Sequence, residues 1–247
     1  MTARTRIAAV VALVVFPFVA SGISGSWWAR PPDRGVVRTE LVGASVQGRP
    51  IRIVERGDPD PAHRILVVGN IHGDEPAGIS IAERLESMPL PAETDLWLID
   101  TSNPDGVAAH TRTNADGVDL NRNFPWHWQR IGRPGDRHYS GPRALSEPES
   151  KLLALLIERL RPQVTIWFHQ PYGVVDESGG DVAIERRFAS LVDLPLKRLP
   201  RYPGGVTNWQ NARFPGTTAF VVELPPGSLS PLRIGQFARA VLDVAPR

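Results

Sequence analysis

Apolar residues along the chain gather into short unbroken runs separated by stretches with a helical apolar period. Ile65-Leu-Val-Val-Gly-Asn-Ile71 reads as a buried strand, and a helix near 76–88 and a strand over 95–101 complete a β-α-β unit. Upstream, 40–46 and 51–55 alternate apolar and polar positions around Gln47-Gly48, which predicts a β-hairpin. Downstream, Leu152, Leu153, Leu155, Leu156 and Leu160 mark an amphipathic helix, with Ser146 and Glu149 spaced as a capping box at its start. A β-branched and aromatic strand over 164–168, a helix near 181–193, a strand over 217–223 and a helix near 232–244 follow. Alternating strands and helices predict an α/β fold, a three-layer sandwich around a mixed, mostly parallel sheet.

Three of these strands run directly into ionisable side chains. The strand at 65–71 delivers His72 and Glu75, the strand at 164–168 delivers His169, and the strand at 217–223 ends in Glu223. Ligand sites of open α/β sheets form outside the carboxyl ends of the strands. Imidazole nitrogen and carboxylate oxygen are also the donors that hold a catalytic zinc ion while leaving a position open. Taken singly, each has a plainer explanation: Glu75 as a cap for the helix opening at Pro76, His169 as a hydrogen-bonded strand end, Glu223 as a solvated carboxylate. Between the strands lies a long polar loop, Asn103-Pro-Asp-Gly106, Thr111-Arg-Thr-Asn114 and Gly117-Val-Asp-Leu-Asn-Arg-Asn-Phe-Pro125. It carries Arg112, Asp119, Asn121 and Arg122, and is either a solvated polar loop or a site in which arginine offers a fork matched to a carboxylate and Asn a neutral donor beside it.

These segments together resemble the zinc metallocarboxypeptidases, in particular the short bacterial branch that includes murein peptide amidases. The shared text is Gly69-Asn-Ile-His-Gly-Asp-Glu-Pro-Ala-Gly78, Asn103-Pro-Asp-Gly106, the stretch 111–125, Tyr139-Ser-Gly-Pro-Arg-Ala-Leu-Ser-Glu-Pro-Glu149 and Val221-Val-Glu-Leu-Pro225. The resemblance runs from about residue 40 to the C-terminus and implies a zinc carboxypeptidase-like fold. It implies one Zn2+ per chain held by His72, Glu75 and His169, with Asp119 orienting the first of them. It makes Glu223 the general base and acid, and Arg112 the oxyanion stabiliser. Asn121 and Arg122 become the grip on a substrate's terminal carboxylate. The implied reaction is hydrolysis of an amide bond next to a free C-terminus, with a peptide or muropeptide as substrate.

Two departures from the digestive members stand out. Asp74 occupies a position where those enzymes carry arginine, and is either a turn residue or a contact for a substrate amine. Tyr202 lies in the region of their mobile tyrosine at a different spacing from the following glycines, and stays unassigned. His63, His110, His127 and His138 have no ligand-like context and are expected in surface or loop roles. Two other readings compete. One is a deacylase resembling succinylglutamate desuccinylase or aspartoacylase, which lacks the Asn-Pro-Asp-Gly and Ser-Glu-Pro-Glu elements. The other is a non-catalytic peptide- or wall-binding protein, against which the intact ligand set and Glu223 argue.

Composition narrows the picture little further. The 247 residues suit one α/β domain, and a net charge of +2 gives no basis for nucleic-acid binding. With no cysteine there is no thiol nucleophile, disulfide or lipoprotein anchor. Arg4 and Arg6, the apolar run Ile7–Ala20 and the small residues Ser21–Gly25 read as an export signal over 1–24, cleaved after Gly22 or Ser24 or retained as a membrane anchor. A Pro- and Arg-rich linker over 25–38 and a catalytic domain over 39–247 follow, and the expected location is the cell envelope or the extracellular space.

Overall fold

The computed structural model describes residues 36–59 and 63–244. The export signal, and most of the segment read as a linker, lie outside them. Among the described residues no helix is long and apolar enough to cross a membrane.

Eight strands form one mixed sheet in the order β1-β2-β4-β3-β5-β8-β6-β7. The hairpin comprises β1 (Val36–Ala44) and β2 (Pro50–Gly57), so the first strand begins inside the segment read as linker. Next come β3 (His63–Val68), helix α1 (Ala77–Leu85) and β4 (Thr94–Ile99), with β3 and β4 parallel as the β-α-β pattern requires. Helix α2 (Pro104–Ala109) and a 3-10 turn at Leu120–Arg122 punctuate the long loop. Helix α3 (Pro148–Leu160), β5 (Val164–His169), β6 (Val174–Asp176), α4 (Val182–Val192) and β7 (Leu196–Lys197) follow. Helix α5 (Val206–Arg213), β8 (Thr218–Glu223) and α6 (Pro231–Asp243) complete the domain. Parallel pairing joins β3 to β5, β5 to β8 and β6 to β7, whereas β1–β2, β2–β4 and β6–β8 are antiparallel.

The central strands β4, β5 and β8 are buried along their whole length, which is why their sequences run apolar without alternation. Successive residues still point to opposite faces. Phe168 packs with Ile81, Phe188 and Phe237 of α1, α4 and α6. Its neighbour Trp167 packs with Leu153, Ile157 and Trp209 of α3 and α5 on the other face. Helices therefore cover both faces, giving the expected three layers.

The start of α3 departs from the expected capping box. Glu147 is the residue before the helix and makes no side-chain cap. Ser146 Oγ donates to Glu147 Oε1 at 2.5 Å instead, and Glu149 accepts from Val46 N at 3.0 Å and from Asn114 Nδ2 at 3.2 Å. The acidic side chains at this helix start thus tie the hairpin and the long loop to α3.

Candidate metal centre and active site

The parallel register sets His169 directly opposite Glu223 at the ends of β5 and β8. On the other side of β5, the β3 chain continues through Gly69-Asn-Ile71 into a tight turn, where Glu75 N donates to His72 O at 2.9 Å. Asn70 fixes this turn, its Nδ2 donating to His72 O at 2.6 Å and Glu75 O at 3.0 Å. Gly73 meets the backbone of Gly106 so closely that a Cβ on it would stand 1.9 Å from the Gly106 carbonyl carbon. Glycine at both positions lets the ligand turn sit against α2.

His72 Nδ1, Glu75 Oε2 and His169 Nδ1 converge. Glu75 Oε2 lies 3.0 Å from His72 Nδ1 and 2.9 Å from His169 Nδ1, and the two imidazole nitrogens are 3.1 Å apart. All three residues are buried. Donors arranged tetrahedrally around one zinc ion at ~2.0–2.2 Å stand roughly 3.3–3.6 Å from each other, so this set needs to open by only a few tenths of an ångström to hold a single ion with one position open.

A chain of partners orients the ligands. Asp119 Oδ1 lies 3.0 Å from His72 Nε2, which places that ring's proton on Nε2 and leaves the Nδ1 lone pair for a metal. Arg112 bridges the carboxylates, donating from Nε to Asp119 Oδ2 at 2.9 Å and from Nη1 to Glu75 Oε1 at 2.8 Å. Burial alone would raise the carboxyls of Glu75 and Asp119. The imidazoles, and for Asp119 also Arg112, outweigh it and hold both well below the usual carboxylate range. Burial would lower the Arg112 guanidinium, and Asp119 and Glu75 outweigh it in the other direction.

Glu223 differs from these. Burial pushes its carboxyl up, opposed by His169 and reinforced by the negative charge of Glu75. Its Oε2 is buried and finds no hydrogen-bond partner among the described residues. A carboxylate of raised proton affinity beside a metal-type donor set is suited to taking a proton from water and returning it.

The 3-10 turn brings up Asn121 and Arg122. Asn121 Oδ1 accepts from Val206 N at 3.0 Å, which leaves Nδ2 as the side chain's donor. Arg122 is only 8% exposed, and its guanidinium carbon lies 4.4 Å from the Tyr202 ring centroid. Tyr202, unassigned from sequence, is thereby placed at the arginine, and its neighbour Gly204 hydrogen-bonds both Trp126 and Phe124.

Two other residues fall in unexpected places. His138 Nδ1 reaches Asp119 Oδ2 at 3.3 Å, so it is half-exposed yet joined to the metal-orienting carboxylate. Asp74 pairs with Arg137 at 2.9 Å, so its carboxylate already has a cationic partner within the chain. Neither contact leaves a sequence pattern: Asp74 and Arg137 stand 63 residues apart, and Asp119 and His138 are joined across 19 residues of irregular loop. Asp74, Ser80, Gln170 and Pro226–Leu229 line a cavity of about 410 Å³, in which Asp74 and Gln170 are the chain neighbours of Glu75 and His169. A larger cavity of about 620 Å³, lined by Trp126, Leu155 and Trp209 among others, contains none of the site residues.

A mixed α/β sheet with a His-x-x-Glu turn, a His at the neighbouring strand end and a Glu opposite it defines a metallopeptidase of the carboxypeptidase type. The chain belongs to the zinc carboxypeptidase family, whose model matches residues 29–175. Murein peptide amidase A of Vibrio campbellii is 32% identical over 200 residues, covering 74% of this chain and 78% of that protein. Its Escherichia coli K12 counterpart is 29% identical over 187 residues, covering 69% and 75%. Among solved structures, murein-tripeptide amidase MpaA from Escherichia coli O157 superposes with a TM-score of 0.66 at 27% identity, over 83% of this chain and 90% of that one. Carboxypeptidase A from Helicoverpa armigera shares the fold, with a TM-score of 0.72 at 18% identity over 85% of this chain and 68% of that one. The protein is a zinc-dependent metallocarboxypeptidase, and its family sets aside both the deacylase and the non-catalytic readings.

Proposed function

We propose that the protein hydrolyses the amide bond preceding a free C-terminal carboxylate in peptides of the bacterial cell wall, acting outside the cytoplasmic membrane. The observation that carries this reading is the juxtaposition, at one end of the sheet, of the His72–Glu75–His169 donor set with a buried Glu223 whose Oε2 has no hydrogen-bond partner among the described residues. His72, Glu75 and His169 would hold the zinc ion, which when bound would supply Lewis acidity and lower the pKa of water to roughly 7. Asp119 holds His72 in the metal-binding tautomer. Glu223 takes the proton of the attacking water and returns it to the leaving amine. Arg112 contributes fixed positive charge where the tetrahedral oxygen becomes negative. Asn121 Nδ2 and the Arg122 guanidinium hold the terminal carboxylate, and the cavity beside Asp74 and Gln170 receives the acyl portion.

The substrate class rests on the murein amidase relatives, and the location on the Arg4 to Gly25 pattern, cleaved or retained as an anchor. The zinc-loaded protein is tested on an N-blocked dipeptide, on a murein stem peptide, and on both with the C-terminus amidated. The free carboxylates are expected to be hydrolysed and the amides to lose most of the rate, with Arg122→Ala erasing the difference. Equal rates on both forms by the parent enzyme would remove the carboxylate grip, and turnover of the dipeptide without the stem peptide would remove the cell-wall substrate.

A further inference from the structure

The segment between β7 and α5 carries Tyr202 across Arg122, and both of its ends are fastened. At the far end Gly204 N donates to Trp126 O at 2.8 Å, Phe124 N donates to Gly204 O at 3.0 Å, and Val206 N donates to Asn121 Oδ1. A Cβ on Gly204, which has φ +76°, would stand 2.0 Å from Arg122 O, so the segment lies directly on the Arg122 backbone.

The near end is fastened by charge. Asp176, buried at the end of β6, accepts from Leu199 N at 2.8 Å on one oxygen. Its other oxygen accepts from Ser178 Oγ at 2.7 Å and from Arg201 Nη1 at 2.8 Å. Arg201 also donates to the carbonyls of Leu199 and Glu177. Arg201 is the residue immediately before Tyr202, and neither it nor Asp176 touches the metal ligands. A guanidinium with several charge-assisted bonds to one edge of the sheet leaves the next residue little freedom.

We propose that Asp176 and Arg201 are positioning residues: their ion pair holds the 199–206 segment so that Tyr202 covers Arg122, and so sets the affinity for the substrate's terminal carboxylate. This rests on the assignment of Arg122 as the carboxylate grip. A ring stacked on the guanidinium shields it from water, which strengthens its attraction for an anion and fixes its direction. Loss of the near anchor lets the ring leave that position, and the cost falls on binding rather than on the proton transfers at Glu223.

The test uses full-length, zinc-loaded enzyme and an N-blocked dipeptide with a free or amidated C-terminus. Arg201→Gln is expected to raise KM for the free acid about tenfold, the scale of one lost hydrogen bond to a charged group, with kcat within about twofold and zinc content unchanged. Asp176→Asn, which keeps the shape and the Leu199 contact, is expected to fall between Arg201→Gln and the parent. In a Tyr202→Ala background, Arg201→Gln should add nothing to KM, because both substitutions then remove the same effect. Unchanged KM in Arg201→Gln and Asp176→Asn, or additive effects of Arg201→Gln and Tyr202→Ala, would overturn the positioning role while the grip stands. Parent enzyme indifferent to amidation would overturn the grip and the positioning role together.

Discussion

Four carboxylates meet within this site and their surroundings drive them apart. Glu75 and Asp119 each face an imidazole and Arg112, and their charged forms are held far into acid. Glu223 has one oxygen without a partner among the described residues, and burial raises its proton affinity. Asp74 is spent on Arg137. Such a split is what the proposed roles require, since a ligand must stay charged and a proton shuttle must not be locked in one state. Replacing Glu223 by Gln keeps the side chain's shape but removes its capacity to accept a proton near neutrality. Zinc content should stay at one per chain by elemental analysis. The loss should appear in kcat at about 10²–10⁴-fold, with KM little moved. Metal loss in this variant would make Glu223 a ligand, and near-parent kcat would give the proton transfer to another group.

At the scale of elements, the polar text of the long loop acts mainly as its internal scaffold. Asn103 caps α2 by accepting from Gly106 N at 2.9 Å, and Asp105 accepts from Ser45, Gln47 and Arg49 of the hairpin turn. Asn114, almost fully buried, donates from Nδ2 to Glu147 at 2.7 Å and to Glu149 at 3.2 Å, and its Oδ1 accepts from Val118 N at 3.0 Å. Asn114→Ala removes the donor shared by two buried carboxylates, at a cost of about 1–3 kcal/mol or more. For a domain of this size the melting temperature should fall by roughly 2–12 °C. Activity should fall with it, because the same loop carries Arg112, Asp119 and Arg122. A variant that melts with the parent in calorimetry would show that Asn114 is dispensable to the loop.

The same elements explain what could be read from the chain. Strands β3, β5 and β8 and helices α1, α3, α4 and α6 were legible because apolar runs bounded by turn residues, or a helical apolar period, point directly to core-facing elements. The metal-type donors were legible because each follows such a run directly. Helix α5 was not, since its buried face includes Thr207 and Gln210 beside Val206 and Trp209. Strands β6 and β7 have only three and two residues, too few for any period. The Ser146 and Glu149 spacing misled because tertiary partners, Asn123 and Asn114 among them, outcompeted the local cap. The pairs Asp74–Arg137, Asp119–His138 and Asp176–Arg201 join residues whose proximity depends on the finished fold.

Beyond the site, carboxyls elsewhere in the described residues also set how stability responds to pH. Glu185 is fully buried in α4, where burial raises its carboxyl from 4.5 to about 7 against backbone hydrogen bonds from Ser178 and Gly180. Burial, together with Glu86 and Glu83, raises Asp100 from 3.8 to about 6. A carboxyl whose folded pKa is raised binds its proton more tightly in the native state than in the unfolded chain. Its stabilising contribution is therefore complete below the unfolded value, is lost as pH climbs through the folded one, and stays lost above it. For Glu185 that window runs from about 4.5 to about 7. Glu185→Gln cannot ionise, so any constant effect of the swap on packing is the same at every pH. Relative to the parent, the variant should gain melting temperature between pH 5 and pH 8, on the order of a few degrees, when both are scanned zinc-loaded in one buffer series. A difference between parent and variant that does not change with pH would show that Glu185 titrates in the native protein as it does in the unfolded chain.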